Sequence, residues 1–483
     1  MDPHRPLRLT LLLLAAGTPC FAQDFSRQVE AAAAGLLKGA SWGFSVKDAS
    51  TGSRLAQREA ERNLVPASSL KLLPTAAAFA ALGPEHRFKT RLYRLGPLEA
   101  DGALRGGLAL VGGGDPALGS SLVRGAQPLE ELLAGWVRKL QDAGVRRVEG
   151  DLVADNRLHE GLPVPGSWSW EDIGNYYAAP ADALSINDNL FRIVFAPGSP
   201  GDDARLLRLE PEVPGLELVN RMTTGPEGSG DNGFVFNSPG RFTAELRGTV
   251  PSGPKEFAIK GALPEPALFA AQALKARLEK AGVSVSGEAR LAEAPVRREP
   301  SALLLETLSP PLKDIVFITH KRSFNLYAEL LARALAVRRG RPGTVEEGLA
   351  AVKDHVRGLG VDVSGMRLFD ACGLSRSNQL TADSLAGVLA AMSKAKAFGI
   401  YRDSLVVPGD PDATGHIKSF GKGLEGRLWT KSGSLAGVRS YAGYLKTRKG
   451  RLLAFAFIAN NYVCAPAELD RLHERLLAAL AAD

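Results

Sequence analysis

The sequence predicts a mixed α/β (α+β) fold, in which an antiparallel sheet draws strands from both chain ends, is flanked by helices and is interrupted by a β-rich insertion. Three observations predict it. Near the C-terminus, Arg427 to Thr430, Arg439 to Thr447 and Arg451 to Ala459 have strand-like alternation, the last two across an Arg448-Lys449-Gly450 turn, and strands joined by short turns run antiparallel. Near the N-terminus, Ala40 to Lys47 and a short run near Arg54 to Gln57 flank a Ser50-Thr51-Gly52 turn in the same way. Finally, a helix, an Ala-Gly or similar break and a valine-rich strand recur at Leu129 to Ala154, at Leu268 to Leu291 and at Leu349 to Leu368, too irregularly for a solenoid.

At 483 residues the chain is too long for one ordinary core. Its 45% hydrophobic and 23% charged residues are those of a globular protein, which excludes a disordered or fibrous class. Met1 to Ala22 reads as a secretory signal peptide cut after Ala22: Arg5 and Arg8 precede the apolar run Leu9 to Ala16, and Cys20-Phe21-Ala22 offers a cleavage site. That run is too short to span a bilayer, as is every later one, so the expected product is exported, with no transmembrane segment. Cleavage removes Arg5, Arg8 and Asp2 and takes the formal charge from +7 to +6, a spread-out excess without the basic-aromatic array of a nucleic-acid binder. Cys372 and Cys464 remain, too few for a disulfide framework, and are expected as buried free thiols.

Between the helix-strand units, Ser185 to Leu263 is rich in proline, glycine and short alternating segments, which suggests the β-rich module. Gly112-Gly113-Gly114-Asp115-Pro116 follows a predicted strand but lacks the Lys-Ser/Thr of a phosphate loop, so it reads as a tight turn. His4, His86, His159, His320, His355, His416 and His473 are scattered without metal-ligand spacing, which leaves a zinc peptidase without support.

The chemistry-bearing stretch is Pro66-Ala67-Ser68-Ser69-Leu70-Lys71, followed by an alanine- and leucine-rich run to Leu82. One helical turn puts Ser68 and Lys71 on one face, a hydroxyl beside an amine, and a desolvated lysine can accept the serine's proton. Pro74 predicts a kink or a tight first turn. Ser252, Ser393 and Ser419 share the Ser-x-x-Lys spacing but head no apolar helix, and are expected on the surface. Downstream, Ser323-Phe324-Asn325 opens a helical run to Val337, and Lys431-Ser432-Gly433 ends a strand, where Gly433 lets a substrate backbone lie close. Ser185-Ile186-Asn187 is a decoy for the former, while no other Lys-Ser/Thr-Gly occurs.

With these three triplets in this order, the chain resembles the D-alanyl-D-alanine carboxypeptidase/endopeptidase family of the penicillin-binding protein 4 type. The resemblance extends to Gly112 to Pro116, to Trp168-Ser169-Trp170-Glu171-Asp172 with Tyr176-Tyr177-Ala178-Ala179-Pro180, and to Asp370-Ala371-Cys372-Gly373-Leu374-Ser375-Arg376. It implies a penicillin-binding/β-lactamase-like transpeptidase domain from residues 23–90 and 300–483. Between them it implies a two-part insertion, an α/β domain from 91–184 and 264–299 and a β-rich one from 185–263.

By that resemblance Ser68 is the nucleophile, Lys71 its base, Ser323 a proton relay, and Asn325 an orienting group. Lys431 and Ser432 hold a substrate carboxylate, and the N–H groups of Ser68 and Ser434 form an oxyanion hole. The substrates implied are peptidoglycan stem peptides ending in D-Ala-D-Ala or cross-linked, with β-lactams as covalent inhibitors, no metal or other cofactor, and a periplasmic location. Trp168, Trp170, Glu171, Asp172 and Tyr176 either pack between domains or border the cleft and recognise a stem-peptide amine, and Arg376 contributes a carboxylate contact. The chain departs from the family pattern at Ser432, usually threonine, at Phe324, usually polar, and at Ala371-Cys372, usually Gly-Ser. A related esterase or β-lactamase and an inactive wall-binding relative are the competing readings. The long insertion argues against the first, and the intact triplets against the second.

Overall fold

The computed structural model describes residues 19–297 and 299–482. Its organising sheet has the strand order Leu428–Leu435, Val438–Lys446, Leu452–Asn460, Ser41–Asp48 and Arg54–Arg58, every pair antiparallel. Alternation assigns its two faces to two cores. Phe44, Val46, Tyr441, Leu445, Phe455 and Phe457 pack with the helices Pro19–Ala33 and Pro466–Ala482. Ala442, Tyr444, Ala454, Ala456 and Ile458 face the other way, onto a helical layer that includes Leu72–Leu82, Asn325–Arg338 and Ala382–Met392. Helices on both faces explain why the two C-terminal strands after Ser434 are buried at almost every position. Residues 1–18 of the expected signal peptide lie outside the described residues; residues 19–22 begin the helix Pro19–Ala33, whose Phe25 and Val29 are buried against the sheet.

A second five-stranded sheet has the order Ala289–Leu291, Leu152–Asp155, Leu108–Val111, Lys89–Arg94 and Leu303–Leu308. The first three run parallel, and the last two add antiparallel. Leu303–Leu308, expected to belong with the C-terminal segment, is therefore an edge strand of this sheet, held by its register with Lys89–Arg94. The helices Leu129–Asp142 and Pro266–Lys280 cover it, each followed by two short strands where one was expected. Both breaks have one cause: a Cβ at Gly287 would lie 2.4 Å from the Gly150 carbonyl carbon, so the two chains cross at glycines.

Residues 190–262 form two three-stranded sheets. In one of them Glu217–Gly225 and Thr243–Pro251 run parallel. Phe191, Ile193, Met222, Val235 and Ile259 from these sheets share one core with Leu110, Trp136, Leu152 and Leu274, so both parts of the insertion are built on continuous apolar packing.

The third expected helix-strand unit is half absent. Val345–Gly358 is helical, but residues 361–368 form no strand beyond one bridge, Arg367 to Gln379. Asp362 accepts the Ser364 N–H at 2.9 Å, and this local turn competes with extended pairing.

Candidate active site

Ser68 lies in a 3₁₀ turn, Ala67–Lys71, that feeds directly into the buried helix Leu72–Leu82. The tight turn is the local answer to Pro74, whose missing N–H is tolerated in the first turn of the following helix. Two glycines grip it. A Cβ at Gly373 would lie 2.0 Å from the Ala67 carbonyl oxygen, and one at Gly433 would lie 2.8 Å from the Ser68 nitrogen. Gly433 thus answers a close approach of the protein's own backbone, where the sequence reading looked to the substrate's.

Lys71 Nζ is the hub. It donates to Ser68 Oγ at 2.8 Å, Asn325 Oδ1 at 2.6 Å and the Cys372 carbonyl at 2.8 Å. Asn325 is the first residue of the helix Asn325–Arg338, and its Nδ2 donates to the Tyr177 carbonyl at 2.7 Å, which fixes the amide orientation. Ser323 precedes that helix at φ 55°, a left-handed conformation that turns its hydroxyl toward the sheet. There Lys431 Nζ donates to Ser323 Oγ at 2.9 Å and to the Ser432 carbonyl at 2.6 Å.

Both lysines are buried, and burial, the largest cause, lowers both pKa values. For Lys431 the nearby Lys71 lowers it further. Cys372, Asp370 and Glu329 act the other way on Lys71. The pull of Cys372 and Glu329 is limited, because burial pushes the Cys372 thiol well above its ordinary range and the Glu329 carboxyl up to about 7. Burial thus disfavours the charged form of the amine that faces Ser68.

Beneath Lys71 lies a buried polar network that the sequence reading missed. Glu329 Oε1 accepts the Ala371 and Cys372 N–H groups, both at 2.8 Å. Asp370 accepts from Trp168 Nε1 at 2.9 Å, from Asn378 Nδ2 at 2.7 Å and from the Gly373 and Ser375 N–H groups. Together they shape the 370–375 loop whose carbonyl receives Lys71. The available signal was a glutamate one turn after Asn325, on a helix whose other charged residue from Leu326 to Ala336 is Arg333. Glu329, Asp370 and Cys372 could in principle offer ligands to a metal, but their hydrogen bonds already occupy most of them.

A cavity of about 410 Å³ opens in front of Ser68. Ser323, Asn325, Ser434, Glu171, Asp172, Tyr176 and Arg376 line it with Tyr177, Arg322 and Phe324. Burial raises the Asp172 carboxyl, and Arg376 donates to the Ala436 carbonyl at 3.0 Å. Ser432 is buried outside that lining, on the strand face it shares with Ser434. Trp168 does not border the cleft. It is 5% exposed, packs against Val164, Ala178 and Cys372, and spends its indole N–H on Asp370. Cys372 and Cys464 are free thiols, the first buried and the second half-buried, where burial was expected of both. The decoy serines carry no comparable pairing: Ser393 Oγ donates to the Ala49 and Ala390 carbonyls, and Ser419 Oγ to the His416 carbonyl.

A serine hydroxyl on a buried lysine amine, between an antiparallel sheet and a helical layer, defines a serine acyl-transfer enzyme of the penicillin-recognising class. Residues 26–481 match the D-Ala-D-Ala carboxypeptidase 3 (S13) family, and the chain belongs to it. It is 31% identical, over 90% of its length and 80% of the other protein's, to a D-alanyl-D-alanine carboxypeptidase of Actinomadura sp. (strain R39). To the D-alanyl-D-alanine carboxypeptidase DacB of Haemophilus influenzae it is 27% identical, over 88% and 87% of the two chains. The crystal structure of penicillin-binding protein 4 from Haemophilus influenzae has the same fold, with a TM-score of 0.80 at 24% identity over 94% of this chain and 99% of that one. The expected transpeptidase-type fold with its insertion is therefore the fold of this chain. Among the described residues, no helix is long and apolar enough to cross a membrane.

Proposed function

We propose that this serine-type D-Ala-D-Ala carboxypeptidase works through an acyl-enzyme on Ser68, with D-alanyl bonds of peptidoglycan stem peptides as substrate. The observation that carries the reading is Lys71 Nζ bound at once to Ser68 Oγ and Asn325 Oδ1, with its charge disfavoured by burial. Ser68 Oγ attacks the carbonyl of the penultimate D-alanine while its proton passes to Lys71. The N–H groups of Ser68 and Ser434 stabilise the oxyanion. The C–N bond then breaks, and Ser323, hydrogen-bonded to Lys431, relays a proton to the leaving D-alanine amine. Water hydrolyses the Ser68 ester, and the proton returns to the serine.

Lys431 and the Ser432 hydroxyl hold the terminal carboxylate. Glu171, Asp172 and Tyr176 on the cavity wall meet an amine-bearing stem-peptide side chain, and Arg376 meets a carboxylate. β-Lactams acylate the same serine. With a signal-type N-terminus and a cell-wall substrate, the enzyme is exported and acts in the periplasm. Digestion of defined muropeptides, monomeric and cross-linked, with products identified by mass, tests the reading. Loss of terminal D-alanine is the carboxypeptidase outcome, and separation of cross-linked dimers the endopeptidase outcome. Intact muropeptides after digestion refute both.

A further inference from the structure

Beside the cavity lies an aromatic run that the chemistry at Ser68 does not use. Trp170 is 71% exposed and Phe234 is 41% exposed. Phe236 lies between them, its ring centroid 4.7 Å from that of Trp170 and 6.2 Å from that of Phe234. Phe234 and Phe236 are two residues apart on the strand Asn232–Phe236, so they share a face, while Val235 between them is buried on the other. Rings left contiguous and open to water mark a binding surface more often than chance exposure.

The run is sewn to the cavity wall. The Val235 N–H donates to Asn175 Oδ1 at 3.0 Å, and the Ala262 N–H to the Gly174 carbonyl at 2.9 Å. A Cβ at Gly174, where φ is 98°, would come within 2.4 Å of the Val235 carbonyl oxygen, so only glycine lets this loop lie flat on the strand. The same loop carries Glu171, Asp172, Tyr176 and Tyr177 into the cavity.

We propose that Trp170, Phe236 and Phe234 form a platform for the sugar rings of the glycan strand whose stem peptide enters the cavity. This rests on the cavity being a stem-peptide site, because a peptide seated there is still tethered to its glycan. A pyranose has an apolar C–H face and a rim of hydroxyl and amide groups. The open rings meet the face, and Glu171 next to Trp170 and Asp231-Asn232, two to three residues before Phe234, offer their remaining polar atoms to the rim. Carboxylates at both ends of the run disfavour a lipid surface, and three rings fall short of the roughly 1,000 Å² of a stable protein interface.

The test is calorimetric titration of the full chain with peptide-free glycan strands, prepared by amidase digestion of sacculi. Saturable binding is expected, weakened about tenfold by Trp170→Ala and by Phe234→Ala. Phe234→Ala should keep the wild-type rate of acylation by a fluorescent penicillin, which reports an intact fold. Absent binding by the wild-type chain, or undiminished binding by both variants, overturns the platform. Failure of the wild-type chain to acylate overturns the catalytic reading alone, since the strand titration does not involve Ser68.

Discussion

Lys71 and Asn325 are 254 residues apart in the chain, yet the lysine Nζ donates to the asparagine Oδ1 at 2.6 Å, closer than its 2.8 Å contact with Ser68. The insertion thus separates, in sequence, two halves of one hydrogen-bonded unit. Because the lysine is buried and its pKa lowered, its neutral fraction at pH 7 exceeds that of a solvated lysine. Lys71→Arg keeps the cation but offers no accessible neutral form. Stopped-flow acylation by a chromogenic β-lactam should slow by several orders of magnitude. In the wild-type enzyme the acid limb of the pH profile should fall below the ordinary lysine range, since the base is lost as pH drops through the lowered pKa. Near-normal acylation by the arginine variant would show that another group takes the proton.

Covalent labelling assigns the nucleophile. Ser68 is the Ser-x-x-Lys serine that touches its lysine, whereas Ser393 and Ser419 are bonded to backbone carbonyls. Peptide mapping after reaction with a labelled penicillin should place the adduct on the peptide containing Ser68, and Ser68→Ala should abolish it while leaving the melting temperature within a few degrees of wild type. An adduct on Ser252, Ser393 or Ser419 refutes the assignment.

Asp115 gives a pH dependence of stability that is independent of catalysis. Its carboxyl is buried with no cation paired to it among the described residues, its Oδ1 accepts the Ala117 N–H at 2.8 Å, and burial raises its pKa to about 7. A folded-state value above the unfolded one means that the folded chain holds an extra proton between about pH 4 and 7. Stability from this group is therefore full below the unfolded value and is lost as pH rises through about 7, at up to about 1.4 kcal/mol per pH unit. Asp115→Asn keeps the acceptor and removes the charge. Thermal melts at pH 5, 6, 7 and 8 should show the variant gaining on wild type as pH rises. A constant difference between the two would mean that the carboxyl is not protonated on folding.

These residues also mark what was legible in the sequence. Ser68 and Lys71 were legible because helical spacing is local, and the C-terminal strands because alternation and a glycine turn are local as well. Asp115 was seen as part of a turn, but its burial comes from packing that no neighbouring residue announces. Glu329 and Asp370 meet across 41 residues of chain through backbone N–H groups, which leave no pattern in side-chain order. Trp168 was left between two readings for the opposite reason. An aromatic next to acidic residues suits a cleft or a core equally well, and its Nε1–H bond to Asp370, 202 residues away, is what places it in the core. The strand expected over residues 361–368 failed because valine spacing was weighed above the Asp362 turn.

Ser432, where the family pattern usually has threonine, belongs to the part of the site proposed to take the substrate carboxylate. It shares a strand face with Ser434, which lines the cavity, and follows Lys431, whose ammonium is committed to Ser323 and to a backbone carbonyl. In the proposed binding mode the Ser432 hydroxyl completes carboxylate binding. Threonine offers the same oxygen with a stiffer χ1, so Ser432→Thr avoids a rotamer cost of at most about 1 kcal/mol. Its kcat/KM on a D-Ala-D-Ala peptide should be equal to that of wild type or slightly higher. Ser432→Ala leaves a carboxylate short of a charge-assisted partner, which costs on the order of 1.5–3 kcal/mol. The same loss should vanish on a substrate whose C-terminus is amidated, because that substrate brings no carboxylate to be left unpaired. If alanine is tolerated as well as threonine on the free acid, Ser432 does not touch the carboxylate, and Lys431 holds it alone.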